Sequence, residues 1–140
     1  MVRKIKFRGK DIDTGEWRYG YLSFFYTAGR DKNGFILTDK AQIYSPEDGR
    51  CYDVWAETVG QFTGLFDKNG KEIYEDDMIM QRGYNGMYTC VVKFDSGAFI
   101  IGYYSGSSTL VKPMLIQKNG IVIGNIFDNP NLLNNEEDNV

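Results

Sequence analysis

The sequence predicts an all-β protein. Apolar residues mostly alternate with polar ones or form short runs of β-branched and aromatic side chains, as strands with a two-residue period do. Glycine-containing turns separate these runs at intervals too short for helices of ordinary length. Hydrophobic residues make up 42% and aromatic residues 15% of the 140 residues, which is enough to pack the core of one domain or of two very small ones.

Nine strands are predicted in chain order, each bounded by glycine-containing or charged segments. They cover residues 4–10, 17–25, 35–37, 54–58, 78–81, 88–95, 98–103, 114–117 and 122–126. Asn-Gly pairs predict tight reversals, because both residues tolerate the positive φ angles of a type I′ turn. The reversals with an Asn-Gly pair fall at residues 31–34, 67–70 and 118–120. A fourth reversal is predicted at the Asp-Ser-Gly segment 95–97, and a helical turn at 129–134.

The second half of this pattern reads as a compact meander similar to a small SH3-like barrel. The first half has its own basic strand and an aromatic-rich strand. We therefore predict an N-terminal β-subdomain at 1–64, packed with an SH3-like β-barrel subdomain at 65–128, and a short turn with an acidic disordered tail at 129–140. No flexible linker separates the halves, so one integrated domain over 1–133 is the alternative.

The composition argues against common hydrolase chemistry. The chain has no histidine, which excludes Ser-His and Cys-His nucleophile pairs and histidine-based metal sites. Cys51 and Cys90 lie in different segments and form no Cys-x-x-Cys pair, so we expect two free, buried thiols. The sequence therefore predicts neither an enzyme nor a cofactor.

The charge balance also restricts the partners. Sixteen basic and nineteen acidic residues give a net charge of −3, which argues against a whole surface built to coat nucleic acid or an anionic membrane. No apolar run approaches the roughly 20 residues needed to cross a bilayer, and the chain is charged from Arg3 onward. We expect a soluble, cytoplasmic protein with no membrane contact.

The densest acidic cluster comprises Glu72, Glu75, Asp76 and Asp77. Acidic residues at a turn are ordinarily solvated, and the turn at residues 67–70 lacks the oxygen-ligand spacing of an EF-hand loop. We predict no metal site here. Asp77 directly precedes an apolar strand, where a carboxylate often accepts backbone N–H bonds and holds the turn.

Basic residues alternate along the first predicted strand. Lys4, Lys6, Arg8 and Lys10 share one of its faces, because side chains in a strand alternate with a period of two. This basic stripe is a candidate contact for nucleic-acid phosphates or for an acidic protein. The alternative is a solvated face, or an edge strand that lysines protect from aggregation.

Aromatic residues supply the other candidate contacts. Arg18 and Tyr19 in the second predicted strand, and Tyr103 and Tyr104 beside a Ser/Gly loop, are placed where they would bind a partner or stack on bases. The alternative is packing, because a small β-fold needs large rings to fill its interior. The aromatic residues expected in the core are Phe7, Trp17, Phe24, Phe62, Phe94 and Phe99.

Three sequence blocks resemble a known family. They read RKIKFRGK at residues 3–10, TVGQFTGLFDKNGKEIYEDD at 58–77 and IGNIFDNP at 123–130. In this order and at these distances they are similar to the YopX family of small proteins encoded by bacteriophages and prophages. That family usually has Glu-Gly-Asp where this chain has Glu75-Asp76-Asp77, so we expect a positive φ angle at Asp76, which Asp tolerates better than most residues.

The resemblance implies a phage setting but no particular reaction. We expect a phage or prophage accessory protein that is a non-enzymatic protein-interaction module in the bacterial host cytoplasm. Its partner would be a host or phage protein, and we expect it to form a homo-oligomer. The alternative is a nucleic-acid-binding protein that uses the basic stripe and surface aromatic residues.

Overall fold

The chain forms β-strands over most of its described length. The computed structural model describes residues 2–83, 86–105, 108–113 and 120–132, and within these the strands form two antiparallel sheets, which confirms the all-β prediction. A 3-10 turn lies at Ala56–Thr58, and a helical turn is present at residues 131–132. The strands are β1 (Phe7–Lys10), β2 (Trp17–Asp31), β3 (Gly34–Ser45), β4 (Arg50–Trp55), β5 (Gly60–Phe66), β6 (Glu72–Tyr74), β7 (Asp77–Gly83), β8 (Gly86–Asp95), β9 (Ala98–Ser105), β10 (Ser108–Pro113) and β11 (Ile121–Asn125).

Several boundaries differ from the sequence prediction. The strands β5, β6 and β10 were not predicted, because glycine and charged or hydroxyl residues interrupt their apolar alternation. The predicted strand at 54–58 is wrong at its end, where the chain turns into the 3-10 turn. Three predicted features fall outside the described residues. They are the strand at 114–117, the part of the reversal at 118–120 that contains Asn119, and the acidic tail from residue 133 onward.

The chain divides into two compact units, Met1–Phe62 and Thr63–Val140, with the boundary inside β5. The first sheet has the order β4-β3-β2-β1-β5-β6 and the second the order β10-β9-β8-β7-β11. Among the described residues no pairing joins the edge strands β10 and β11, so the second sheet is open and a closed SH3-like barrel stays a prediction. The domain boundaries proposed from the sequence also stay a prediction.

The core of the first unit lies on one face of its sheet. Ala41, Ile43 and Val54 are fully buried, and partly buried side chains from β1, β2 and the segment after β4 pack against them. Gly9 belongs to this face, because a Cβ atom there would lie 2.7 Å from Cγ2 of Val54. The absence of a side chain at Gly9 therefore lets β1 approach β4 closely.

The second unit has a separate apolar core, formed by buried residues of β6 to β9 and β11. These are Ile73, Ile79, Cys90, Val92, Ile101 and Val122. Both cysteines are free thiols, but only Cys90 is buried. The prediction that Cys51 is buried is wrong, because it lies in β4 with its side chain directed to solvent.

The reversals predicted at residues 31–34, 67–70 and 95–97 are present, but the positive φ angles do not all fall on the expected residues. Two residues connect β2 to β3 and β8 to β9. At the second connection Ser96 and Gly97 have φ angles of 52° and 83°, the two positive values of a type I′ turn. At the first connection only Gly34 has a positive φ angle, so Asn33 does not adopt the conformation expected of it.

The turn before β7 confirms two sequence predictions. Asp76 has a φ angle of 69°, as expected from the glycine that the family usually has at this position. The carboxylate of Asp77 is 1% exposed and accepts the backbone N–H of Tyr74 at 2.8 Å. The acidic cluster therefore serves the turn, with the Asp76 carboxylate 2.9 Å from the ammonium group of Lys93.

The φ angle of Asp76 predicts an order of stability between two substitutions. Asp76→Ala and Asp76→Gly both remove the carboxylate that faces Lys93, so they differ only in backbone preference. Because a Cβ atom is unfavourable in the left-handed region, we expect Asp76→Ala to be less stable than Asp76→Gly by about 1 kcal/mol. Urea denaturation measures this difference, and equal stabilities would contradict the positive φ angle.

Candidate interaction surface

The first sheet has two chemically different faces. Phe7 lies opposite Gly20 on the face that packs against the core, whereas Arg8 lies opposite Tyr19 and Lys10 opposite Trp17 on the other face. Residues directly opposite each other in an antiparallel pair share a face. This second face, which we call the outer face, therefore joins Arg8 and Lys10, the two residues of the basic stripe that lie in β1, to a row of aromatic rings on β2.

Cations of the stripe lie against these rings. The guanidinium group of Arg8 is 4.5 Å from the centre of the Trp17 ring, and Nζ of Lys10 is 5.5 Å from the same centre. Nζ of Lys6 lies 5.7 Å from the centre of the Tyr19 ring. These separations are those of cation–π contacts. Arg8 is only 5% exposed, so its position favours packing within the sheet over direct contact with a partner.

Arg18 lies on the opposite face from this stripe, because it pairs with Gly9 and not with Arg8. Its Nε atom donates to the Asp11 carboxylate at 2.9 Å, and its guanidinium group stacks 3.9 Å from the centre of the Tyr52 ring. Burial by itself raises the pKa of Asp11, but hydrogen bonds from Arg18 and from two backbone N–H groups outweigh burial and lower it. Arg18 thus holds the loop before β2 in place.

Four aromatic side chains are exposed together on the outer face. Tyr21 lies opposite Tyr44, and their rings are stacked with centres 6.5 Å apart. Phe24 lies opposite Gln42, which shares its face with Tyr44, so Phe24 joins the same row. The exposed fractions of Tyr19, Tyr21, Phe24 and Tyr44 are 42%, 56%, 46% and 38%. We call these four residues the aromatic face.

A β-bulge explains why Phe24 is exposed although the sequence predicts it in the core. The register shifts between Leu22 and Phe24, so that one extra residue, Ser23, lies between them. Leu22 remains opposite the core residue Ile43, and the inserted residue moves Phe24 to the outer face. Phe94 was also expected in the core and is 52% exposed, whereas Phe62 is 3% exposed and confirms its prediction.

A shallow groove lies at one end of the aromatic face. It has a volume of about 260 Å³ and is lined by Lys4, Ile5, Lys6, Tyr19, Gly20, Tyr21, Pro46 and Glu47. The structure therefore brings together three of the residues proposed from the sequence, namely Lys4, Lys6 and Tyr19. Because two ammonium groups stand beside two phenol rings, the groove suits a ligand that carries both an anionic group and an apolar or planar one.

Tyr103 and Tyr104, the remaining candidates, lie in β9 of the second unit. Their backbones pair with Leu110 and Thr109 of β10, and their side chains lie outside the described part of the chain. Their role stays a prediction. Tyr44 was not proposed from the sequence, because only the register between β2 and β3 places it beside Tyr21.

Two features are absent from the described part of the chain. In residues 2–83, 86–105, 108–113 and 120–132, no group of His, Cys, Asp and Glu side chains is arranged to hold a metal ion. Over the same part of the chain, no helix has the length and apolar character needed to cross a membrane. The aromatic face and its groove are therefore the best-supported candidate site.

Comparisons with known proteins agree with this architecture. The chain is similar to the crystal structure of protein EF1440 from Enterococcus faecalis, with 26% identity, a TM-score of 0.52, and coverage of 94% of this chain and 99% of that chain. No curated protein matches the sequence. The family model described as YopX protein matches residues 6–134, which include most of each unit and the whole aromatic face. The chain therefore belongs to the YopX family.

Proposed function

We propose that this chain is a phage or prophage accessory protein that acts without catalysis in the host cytoplasm, by binding a host or phage protein through the aromatic face. The observation that carries the proposal is the joint exposure of Tyr19, Tyr21, Phe24 and Tyr44 on one face of the first sheet. A row of rings that the chain itself leaves exposed is suited to burial by a partner.

The chemistry of the aromatic face supports a protein partner. Tyr and Phe are enriched at the centres of protein interfaces, because each ring supplies a large apolar area while few torsion angles become fixed. The hydroxyl groups of Tyr19, Tyr21 and Tyr44 add hydrogen-bonding capacity. Lys4 and Glu47 at the groove supply charges of both signs, which suits the polar rim of an interface.

The non-enzymatic part of the proposal is supported by the roles of the best-buried carboxylates. Asp11 accepts hydrogen bonds from Arg18 and from backbone N–H groups, and Asp67 and Asp77 also accept backbone N–H groups. These bonds lower the pKa of Asp11 and of Asp67, so both groups stay ionised at neutral pH. An ionised, hydrogen-bonded carboxylate is a poor general acid.

Substitutions on the aromatic face test the proposal. The tagged chain is incubated with host lysate, with and without nuclease. The retained proteins are identified, and their molar amounts are compared with that of the tagged chain. We expect a stoichiometric protein that survives nuclease. The double substitution Tyr21→Ser and Tyr44→Ser should weaken its binding at least 100-fold, because buried tyrosines at interface centres contribute about 2 kcal/mol each.

Phe94→Ser is the matched control, because Phe94 is an equally exposed aromatic residue outside the aromatic face. It should leave binding of the identified protein unchanged. The affinities are measured with purified components by calorimetry, after circular dichroism shows that each variant is folded. Unchanged binding by the Tyr21 and Tyr44 variant would assign the partner to another surface and contradict the proposal.

Single-stranded nucleic acid is the second candidate partner, favoured by the groove. Phosphates would contact Lys4 and Lys6 while bases stack on Tyr19 and Tyr21. This predicts that the affinity for a labelled oligonucleotide falls steeply with salt. Lys4→Gln with Lys6→Gln should reduce the slope of log K against log salt concentration by about 1.4, since each lost phosphate contact to a single strand accounts for about 0.7. An unchanged slope would remove the groove from consideration.

A further inference from the structure

The distal part of the β2–β3 hairpin is a ribbon of two strands. The strand β4 pairs with β3 only from Lys40 to Ser45, and β1 pairs with β2 only from Trp17 to Gly20. Within the described residues, residues 27–38 therefore pair only with each other, and we call this segment the arm. A two-stranded ribbon is at most marginally stable in water without a further packing partner.

The arm carries apolar side chains that the chain leaves exposed. Phe35 and Leu37 are 64% and 62% exposed, and they share a face because they are two residues apart in β3. Ile36, on the opposite face, is also exposed. Exposed apolar residues on both faces of a ribbon are a feature of segments that another chain covers.

A recess with complementary properties lies at the root of the arm. It has a volume of about 550 Å³ and is lined by Thr38, Asp39, Trp55, Ala56 and Glu57. Trp55 and Ala56 supply apolar walls, while Asp39 and Glu57 are exposed carboxylates. The tip of the arm carries two exposed cations, Arg30 and Lys32, and the guanidinium group of Arg30 lies 4.7 Å from the centre of the Phe35 ring. The tip also carries Asp31, whose carboxylate accepts the backbone N–H of Asn33 at 2.8 Å. The two cations still give the tip a net positive charge, whereas the charged side chains that line the recess are both anionic.

We propose that a second copy of the chain fills this recess with the tip of its arm, and that the exchange is reciprocal, so that two copies form a two-fold symmetric dimer. The chain's own tip is excluded by distance, because Asp39 lies six positions after Asn33 in the sequence, and six steps along a strand span about 20 Å. In a two-fold dimer every contact occurs twice, so both arms and both recesses are occupied.

The charges specify a second copy as the occupant. Among the described residues, no ion pair engages Arg30, Lys32, Asp39 or Glu57. Docking of the tip brings the two cations toward the two carboxylates, and the same complementarity arises at both ends of the dimer. Opposite charges across an interface determine its register and disfavour other partners.

A charge exchange tests the dimer. One variant carries Arg30→Glu and Lys32→Glu, so that its tip and its recess are both acidic. The other carries Asp39→Lys and Glu57→Lys, so that both are basic. In sedimentation equilibrium over a concentration series we expect the wild type to dimerise and each variant to dissociate about 100-fold more readily, because like charges face each other.

An equimolar mixture of the two variants should restore dimers, since each acidic tip then meets a basic recess and each basic tip an acidic recess. Docking of the tip into the recess predicts this recovery. A wild type that stays monomeric, variants that dimerise like the wild type, or a mixture that stays monomeric would each overturn the proposal. The substitutions Tyr21→Ser and Tyr44→Ser should leave the dimer unchanged. The dimer and the function of the aromatic face can therefore be tested independently of each other.

A crosslinking measurement keeps the proposal testable if a charge variant fails to fold. In a Cys51→Ser background, which removes the exposed thiol, a tagged Lys32→Cys chain is mixed with an untagged Glu57→Cys chain. A short thiol crosslinker should join the two chains, and Lys32→Cys alone should give little product because the two tips lie far apart. Equal yields in both samples, or none in either, would overturn the arrangement.

Discussion

Gly20→Ala is expected to lower the free energy of unfolding by about 3 kcal/mol, because the new Cβ atom would clash with the backbone of Tyr44 and no change of side-chain rotamer can relieve that clash. A Cβ atom at this position would lie well under 3.0 Å from the carbonyl oxygen of Tyr44 and 3.0 Å from Cδ of Pro46. Gly20 also has a φ angle of 156°, at the limit of what a side chain tolerates. Because Gly20 pairs with Phe7 and its neighbour Tyr21 pairs with Tyr44, the strands cannot separate without loss of the sheet.

Gly15→Ala is the matched control for this prediction. Gly15 has a φ angle of 75°, but a Cβ atom there meets nothing within 4 Å. Its substitution should therefore cost only about 1 kcal/mol, the usual penalty for a side chain in the left-handed region. Chemical denaturation of both variants measures the difference. Equal losses would show that β2 does not approach Tyr44 as closely as the structure places it.

Asp67→Ala is expected to destabilise the second unit by about 3 kcal/mol, because three backbone N–H groups would lose their acceptor. Oδ1 of Asp67 accepts the N–H groups of Asn69 and Lys71 at 2.8 Å each, and Oδ2 accepts that of Val122 at 3.0 Å. The last bond joins the turn to the start of β11, 55 residues later in the chain. One carboxylate thus holds a local turn and a long-range contact.

The pH dependence of stability shows whether the negative charge of the Asp67 carboxylate, and not only its shape, stabilises the fold. Burial alone raises the pKa of Asp67, but hydrogen bonds from Val122, Lys71 and Asn69 outweigh burial and lower it below 3.8, its ordinary value. The stabilisation is therefore present at neutral pH and is lost as the pH falls through the folded-state pKa. The stability difference between wild type and Asp67→Asn should shrink below about pH 4. A difference that stays constant down to acid pH would contradict this role.

The candidate surface was predictable in part. Alternation along the first predicted strand, residues 4–10, placed Lys4, Lys6, Arg8 and Lys10 on one face. The observed strand β1 begins only at Phe7, and its register confirms that arrangement for Arg8 and Lys10. Alternation does not reveal the neighbouring strand, so it did not show that Trp17 lies under two of these cations or that Arg8 is buried. Such contacts depend on the register between strands, which residues distant in sequence determine.

The bulge at Ser23 had the largest effect on the candidate site. Period-two alternation assigns Leu22 and Phe24 to the same face, and both would then belong to the core. One inserted residue separates them and adds a ring to the aromatic face. Nothing in the local sequence marks this position, because Ser is compatible with a regular strand as well as with a bulge.

The sequence by itself determined the all-β class, the reversals at residues 31–34, 67–70 and 95–97, and the N–H acceptor role of Asp77. These features follow from short-range sterics and hydrogen bonds within a few residues, which the local sequence contains. Only the tertiary structure decided which aromatic rings are exposed, where Arg18 points and which segment of the β2–β3 hairpin lacks a third strand. Those outcomes depend on register and on packing between strands distant in the chain, where one inserted residue exchanges the buried and exposed faces.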